Sequence, residues 1–100
     1  MSYLVISVTN ATDAQKNLIT KYLGLLGAYW HWMPDIWLVN TNVNVSIADV
    51  RDRISKILPS IISLVLEVEV PDPGAWVGMF PEDQADKWAE WLNAYWTPGA

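Results

Sequence analysis

The single histidine of the chain, His31, lies in the run Tyr29-Trp30-His31-Trp32 just ahead of Pro34-Asp35. An imidazole four residues from a carboxylate has the makings of a general base oriented by Asp35, or of a protonation switch near neutral pH. The plainer reading, a hairpin histidine hydrogen-bonded to its own main chain, is preferred. With one histidine and no cysteine, one chain offers no His-His or His-Cys pair to zinc. It also offers no thiolate nucleophile and no disulfide framework. Glu67 and Glu69 alternate onto one face of a strand roughly 7 Å apart, a spacing that suits paired carboxylates. A solvated edge, or partners for arginine across an interface, is the plainer role for them. Asn10-Ala11-Thr12 and Asn44-Val45-Ser46 match glycosylation acceptors, but no signal peptide is expected, and without one the matches carry no meaning. A glycine-rich phosphate loop, a nucleophile elbow and a zinc motif are all missing. No catalytic residue, metal ligand or cofactor is expected.

Tryptophan is the abnormal residue type. Seven indoles in 100 residues, at 30, 32, 37, 76, 88, 91 and 96, exceed what one small core can absorb. Each buries on the order of 200 Å² and carries an N–H that needs an acceptor. Packing accounts for many of them: Trp88, Trp91 and Trp96 dock a terminal helix, and Trp30, Trp32 and Trp37 line a core or a dimer interface. The functional reading is a stacking site for a planar ligand such as a nucleobase. Its expected residues are Trp30, His31, Trp32 and Trp37, with Arg51 and Arg53 (Lys56 nearby) for a phosphate.

Composition bounds the partners. A chain of 100 residues with 52% apolar and 17% charged side chains is expected to form one domain over 1–100. It is neither disordered nor membrane-spanning, and a cytoplasmic location is expected. Residues 1–62 carry five basic and four acidic side chains; residues 63–100 carry Lys87 against seven acidic ones. The two parts, +1 and −6, make up the net charge of −5. Bulk nucleic acid, which needs clustered cations, is disfavoured as a partner. A short anionic ligand satisfied by one or two cations is not. An acidic protein-interaction surface, inhibiting or adapting a basic partner, is a second expectation.

These residues need a scaffold, and the patterning supplies one. Tyr3–Thr9 alternates as a strand. Thr12 and Gln15 form a capping-box pair that opens a helix, whose apolar stripe is Leu18, Ile19, Tyr22, Leu25 and Leu26. Gly27 is expected to close it in the left-handed conformation. Ala28–Met33 and Ile36–Asn40 read as a hairpin around Pro34-Asp35. Ser46 caps a second helix with the stripe Ile47, Val50, Ile54 and Ile57/Leu58, stopped by Pro59. A strand over 61–70 is expected to turn Leu64, Leu66 and Val68 to the helices, leaving Val65, Glu67 and Glu69 on the other face. After the turn at 71–74 come a short extra strand at 75–80 and a helix over 81–96. This order predicts an α+β, ferredoxin-like βαββαβ fold over 1–70: a four-stranded antiparallel sheet with two helices on one face. The half-apolar open face predicts a homodimer or higher homo-oligomer, with Tyr3, Val5, Val65 and Trp76 at the interface.

The stretch Leu26-Gly27-Ala28-Tyr29-Trp30-His31-Trp32, then 36–41 (Ile-Trp-Leu-Val-Asn-Thr) and 47–54 (Ile-Ala-Asp-Val-Arg-Asp-Arg-Ile), resembles the SinR family. Trp76-Val77-Gly78 and Trp88…Trp91-Leu92 extend the likeness over most of the chain. The family consists of small prokaryotic and phage proteins similar to the CRISPR adaptation endonuclease subunit. The resemblance implies a ferredoxin-like homodimer packed through its sheet, with 75–80 as a strand crossing to the partner, and a defence or counter-defence setting. The nuclease members carry an aspartate at the end of the first strand; here that end is Val8-Thr9-Asn10. A neutral amide is a poor ligand for a hard cation, so a non-catalytic nucleotide-binding or nucleotide-sequestering module is expected, and a degenerate metal-dependent nuclease is the alternative.

Overall fold

Residues 2–60, 62–70, 76 and 78–96 are described in the computed structural model of the protein. Seven elements follow one another: β1 (Tyr3–Val8), α1 (Asp13–Gly24), β2 (Gly27–Trp30), β3 (Ile36–Thr41), α2 (Ile47–Ile57), β4 (Ser63–Val68) and α3 (Ala85–Tyr95). The strands form one antiparallel sheet in the order β2-β3-β1-β4. The chain divides into two compact units, Met1–Val68 and Glu69–Ala100.

Local chemistry sets the helix starts. The Thr12 hydroxyl accepts from the Gln15 amide at 3.2 Å, and the Gln15 side chain accepts from the Thr12 amide at 2.8 Å. That reciprocal pair satisfies two donors which the helix itself cannot. Ser46 Oγ accepts from the Asp49 amide at 3.1 Å and opens α2, which ends at Ile57, ahead of Pro59. Between β2 and β3 the Ile36 amide donates to the Met33 carbonyl, so Pro34 takes the first central turn position that its fixed φ suits.

The core of the first unit lies between one sheet face and the two helices. Leu4 and Ile6 of β1, Trp37 and Val39 of β3, Ile19 and Leu23 of α1, and Val50 and Ile54 of α2 are all buried in one cluster. Three patterning expectations are corrected. On α1, the stripe that reaches the core is Ile19, Leu23 and Leu26, whereas Leu18 and Leu25 are 51% and 75% exposed. Spacings of four and three residues keep 19, 23 and 26 on one side, and 18 and 25 fall on the next. On β4, Ile6 pairs with Val65 and Val5 with Leu66. Cross-strand partners share a face, so Val65 packs toward the helices and Leu64, Leu66 and Val68 stand on the opposite face with Tyr3 and Val5. Val65 therefore does not belong to the open face. The sequence alternation points the other way, because the more apolar set, Leu64, Leu66 and Val68, faces away from the helices while Ser63, Val65 and Glu67 share the core-facing parity. Third, α1 ends on Leu25 as a right-handed cap (φ −75°), and Gly27 opens β2.

In the second unit, α3 starts at Ala85, later than expected, because residues 82–84 form a turn closed by the Gln84 amide on the Pro81 carbonyl. Trp88, Leu92 and Trp96 are its buried side chains. The extra strand expected at 75–80 is not seen at Trp76 or at 78–80, while Ala75 and Val77 lie outside the described residues.

Gly27 has a steric reason to be glycine: a Cβ there would collide with the main-chain carbonyl of Asn40 on β3. Gly27→Ala is expected to lower stability by about 1–3 kcal/mol. In urea unfolding this appears as a lower midpoint at unchanged slope.

Candidate functional site

Trp37 is completely buried, and its indole Nε1 donates to Thr20 Oγ1 at 3.0 Å. The Thr20 hydroxyl in turn donates to the Lys16 carbonyl at 2.9 Å, so the polar edge of the ring is satisfied through α1. His31 lies over the ring, its centroid 4.1 Å away and the planes 6° apart. The imidazole is held there by Nδ1, 3.0 Å from the Ile36 carbonyl. A carbonyl only accepts, so Nδ1 carries a proton and, in the neutral ring, Nε2 carries the lone pair.

Two sequence expectations change at this point. Trp37 is not a stacking platform for a ligand, because core side chains and His31 already enclose it. His31 and Asp35 do not form an oriented base, because Nδ1 is committed to Ile36 and Asp35 Oδ1 receives the Lys16 ammonium at 2.9 Å. The plainer hairpin role of His31 matches this geometry.

His31 and Trp32 open instead onto a cleft of about 450 Å³ above the first turns of α1, lined with Asp13, Lys16, Asn17 and Pro34. Trp32 is 44% exposed. Its position follows from where β2 stops: the strand ends at Trp30, and 31–35 form the connection to β3. Strand alternation therefore does not carry Trp32 onto the face of Trp30. Trp30 is buried and pairs with Leu38, on the sheet face opposite Trp37. The cleft combines an exposed indole, a ring nitrogen, an ammonium and an amide with the N-terminal end of α1, where anionic groups are favoured. Asp13 at the lining and Asp35 behind Lys16 limit the negative charge it can take.

The two arginines stand elsewhere. Arg51 donates to the neighbouring Asp52 carboxylate at 3.0 and 3.2 Å and lines a smaller hollow with Ile47, Leu64 and Val65. Arg53 lies 5.6 Å from the Tyr22 ring centroid, between α1 and α2. Burial raises the Tyr22 phenol above its ordinary range, with Arg53 opposing and Asp49 reinforcing the shift. The structure therefore does not bring Arg51 or Arg53 to His31 and Trp32. Trp76, expected at an interface, stacks on Phe80 (5.9 Å), which in turn meets Trp88 (5.1 Å). Glu67 and Glu69 are not paired by strand alternation, because β4 ends at Val68. Asn10 adopts φ 61° in the turn after β1, a conformation asparagine tolerates better than most residues.

Sequence reasoning missed Asp13, Lys16, Asn17 and Pro34 as cleft residues. The capping box at Thr12 gave the local signal, since it fixes which residues occupy the first turns of α1. No linear spacing joins Lys16 to Asp35. Among the described residues no three His, Cys, Asp or Glu side chains gather closely enough to hold a metal ion, and no helix is long and apolar enough to cross a membrane. Comparison with protein families, with curated proteins and with solved structures finds no match to the chain.

The Trp37–Thr20 bond makes a sharp prediction. Thr20→Val leaves a buried indole N–H without its acceptor and is expected to cost about 1–3 kcal/mol in urea unfolding. Thr20→Ser keeps the hydroxyl and should recover most of that loss.

Proposed function

We propose that this chain is a ferredoxin-like, non-catalytic homodimeric module that binds a small planar anionic ligand such as a nucleotide. The observation carrying the proposal is the convergence of Trp32, His31 and Lys16 on one cleft. The indole offers a stacking surface worth about 1–3 kcal/mol per base. Lys16 offers one cation, suited to a single phosphate rather than to a polyanion. The His31 lone pair and the Asn17 amide can read the edge of a base. Element order and the antiparallel arrangement β2-β3-β1-β4 support the ferredoxin-like reading. The neutral Asn10 at the end of β1, in a backbone conformation that asparagine tolerates, supports the non-catalytic one. The resemblance of its aromatic pattern to the SinR family supports a phage or prokaryotic setting for the module. Leu64 and Leu66, 56% and 44% exposed on the sheet face that also carries Tyr3 and Val5, support dimerisation.

Two experiments test this reading. Calorimetric titration with a panel of mono-, di- and cyclic nucleotides is expected to show at least one ligand binding near micromolar, which corresponds to about −8 kcal/mol. Trp32→Ala should weaken that ligand about ten-fold or more, and Lys16→Met should weaken it most at low salt. A flat response across the panel from folded protein refutes the binding reading. For assembly, sedimentation should give twice the chain mass, and Leu66→Lys should shift it to the monomer, since an ammonium in an apolar interface is costly. A monomer at all accessible concentrations refutes the homodimer.

A further inference from the structure

We propose that the groove between α1 and α2 is a docking site for an acidic, amphipathic helix of a partner protein, independent of the cleft at His31 and Trp32. The groove holds about 480 Å³ and is lined by Leu18, Lys21, Tyr22, Leu25, Arg53 and Ile57. Its apolar content is anomalous. Leu18 and Leu25 stand 51% and 75% exposed, while the core-facing stripe of the same helix is complete without them. The two leucines are seven positions apart, two helical turns or about 10.5 Å. They thus present the paired ridge that a helix with apolar residues at i, i+3/i+4 and i+7 meets in a groove.

Charge complementarity identifies the occupant. The groove's only charged lining residues, Lys21 and Arg53, are both cations. Among the described residues neither forms an ion pair, whereas Lys16 pairs with Asp35 and Arg51 with Asp52. Arg53 is held over the Tyr22 ring, so its guanidinium is partly ordered before a partner arrives, which lowers the entropy lost on binding. Asp49 also acts on Tyr22, but the lining itself carries only the two cations, so the apolar floor selects apolar side chains flanked by carboxylates over a basic helix. The chain as a whole carries −5, so this patch would attract an acidic partner against the overall field of the protein. The selectivity therefore has to come from short-range contacts.

The test uses the full chain and two labelled synthetic helical peptides with leucines at i, i+3/i+4 and i+7. One carries glutamates beside the leucines and its twin carries lysines. Fluorescence anisotropy is expected to show saturable binding of the acidic peptide only. Leu25→Asp should abolish it, and Lys21→Glu and Arg53→Glu should each weaken it about ten-fold, equivalent to about 1.4 kcal/mol. Leu25 is mostly exposed, so its substitution removes no core contact, and a retained far-ultraviolet spectrum checks that the variant is folded. Nucleotide titration of the same variants separates this groove from the His31–Trp32 cleft: an unchanged nucleotide response with lost peptide binding supports two sites. No binding of either peptide, or equal binding of both, overturns the proposal. So does self-association of the protein alone that Leu25→Asp abolishes, because the groove then belongs to a second copy of the chain.

Discussion

The first unit is organised by the burial of one indole. Trp37 sits at the centre of the sheet-helix core with no exposed surface, and a buried indole N–H without an acceptor would cost about 1–3 kcal/mol. Thr20 supplies the acceptor and donates its own hydroxyl hydrogen bond to the Lys16 carbonyl. That requirement constrains how α1 lies on the sheet: Thr20 must face the polar edge of the ring. With Thr20 placed there, Ile19 and Leu23 enter the core on the same side of the helix. The first turns of α1 then come level with the connection between β2 and β3, where Lys16 meets Asp35 and His31 covers the ring. The cleft is a by-product of seating the tryptophan.

The same placement separates the chemistry of the two ends of α1. Its N-terminal turns carry a polar, mixed-charge surface beside an aromatic connection. The C-terminal turns carry exposed leucines and a cation beside α2. A single stacking site using all of Trp30, Trp37, Arg51 and Arg53 would require side chains from both faces of the sheet and from both ends of the helix layer. No single surface of the first unit holds them all.

Much of this architecture was legible in the sequence, for reasons that can be named. Thr12 with Gln15, Ser46 before Asp49, and Pro34-Asp35 are local devices whose partners lie within three residues, so spacing alone reveals them. The identity of the core strands β1 and β3 was equally plain, because their alternation is nearly unbroken. What escaped was whatever depends on distant chain segments. Leu18 and Leu25 look like core residues until Ile19, Leu23 and Leu26 are seen to fill the space. Lys16 becomes a site residue only because a turn nearly twenty positions later delivers His31, Trp32 and Asp35 beside it. Trp32 reads as a strand residue because nothing in its identity announces that β2 stops two residues earlier.

β4 invites a closing thought about information. Its sequence Ser-Leu-Val-Leu-Glu-Val turns Ser63, Val65 and Glu67 to the helix side and Leu64, Leu66 and Val68 to the other, so the hydrophobic pattern alone would favour a register shifted by one residue. The strand does not encode its own alignment. Alignment comes from outside the hydrophobic pattern, through the bond from the Thr9 amide to the Ile62 carbonyl at one end and the left-handed Asn10 that sets up that turn. Fidelity at this sheet edge is thus delegated to a few polar main-chain contacts in the loop after β1.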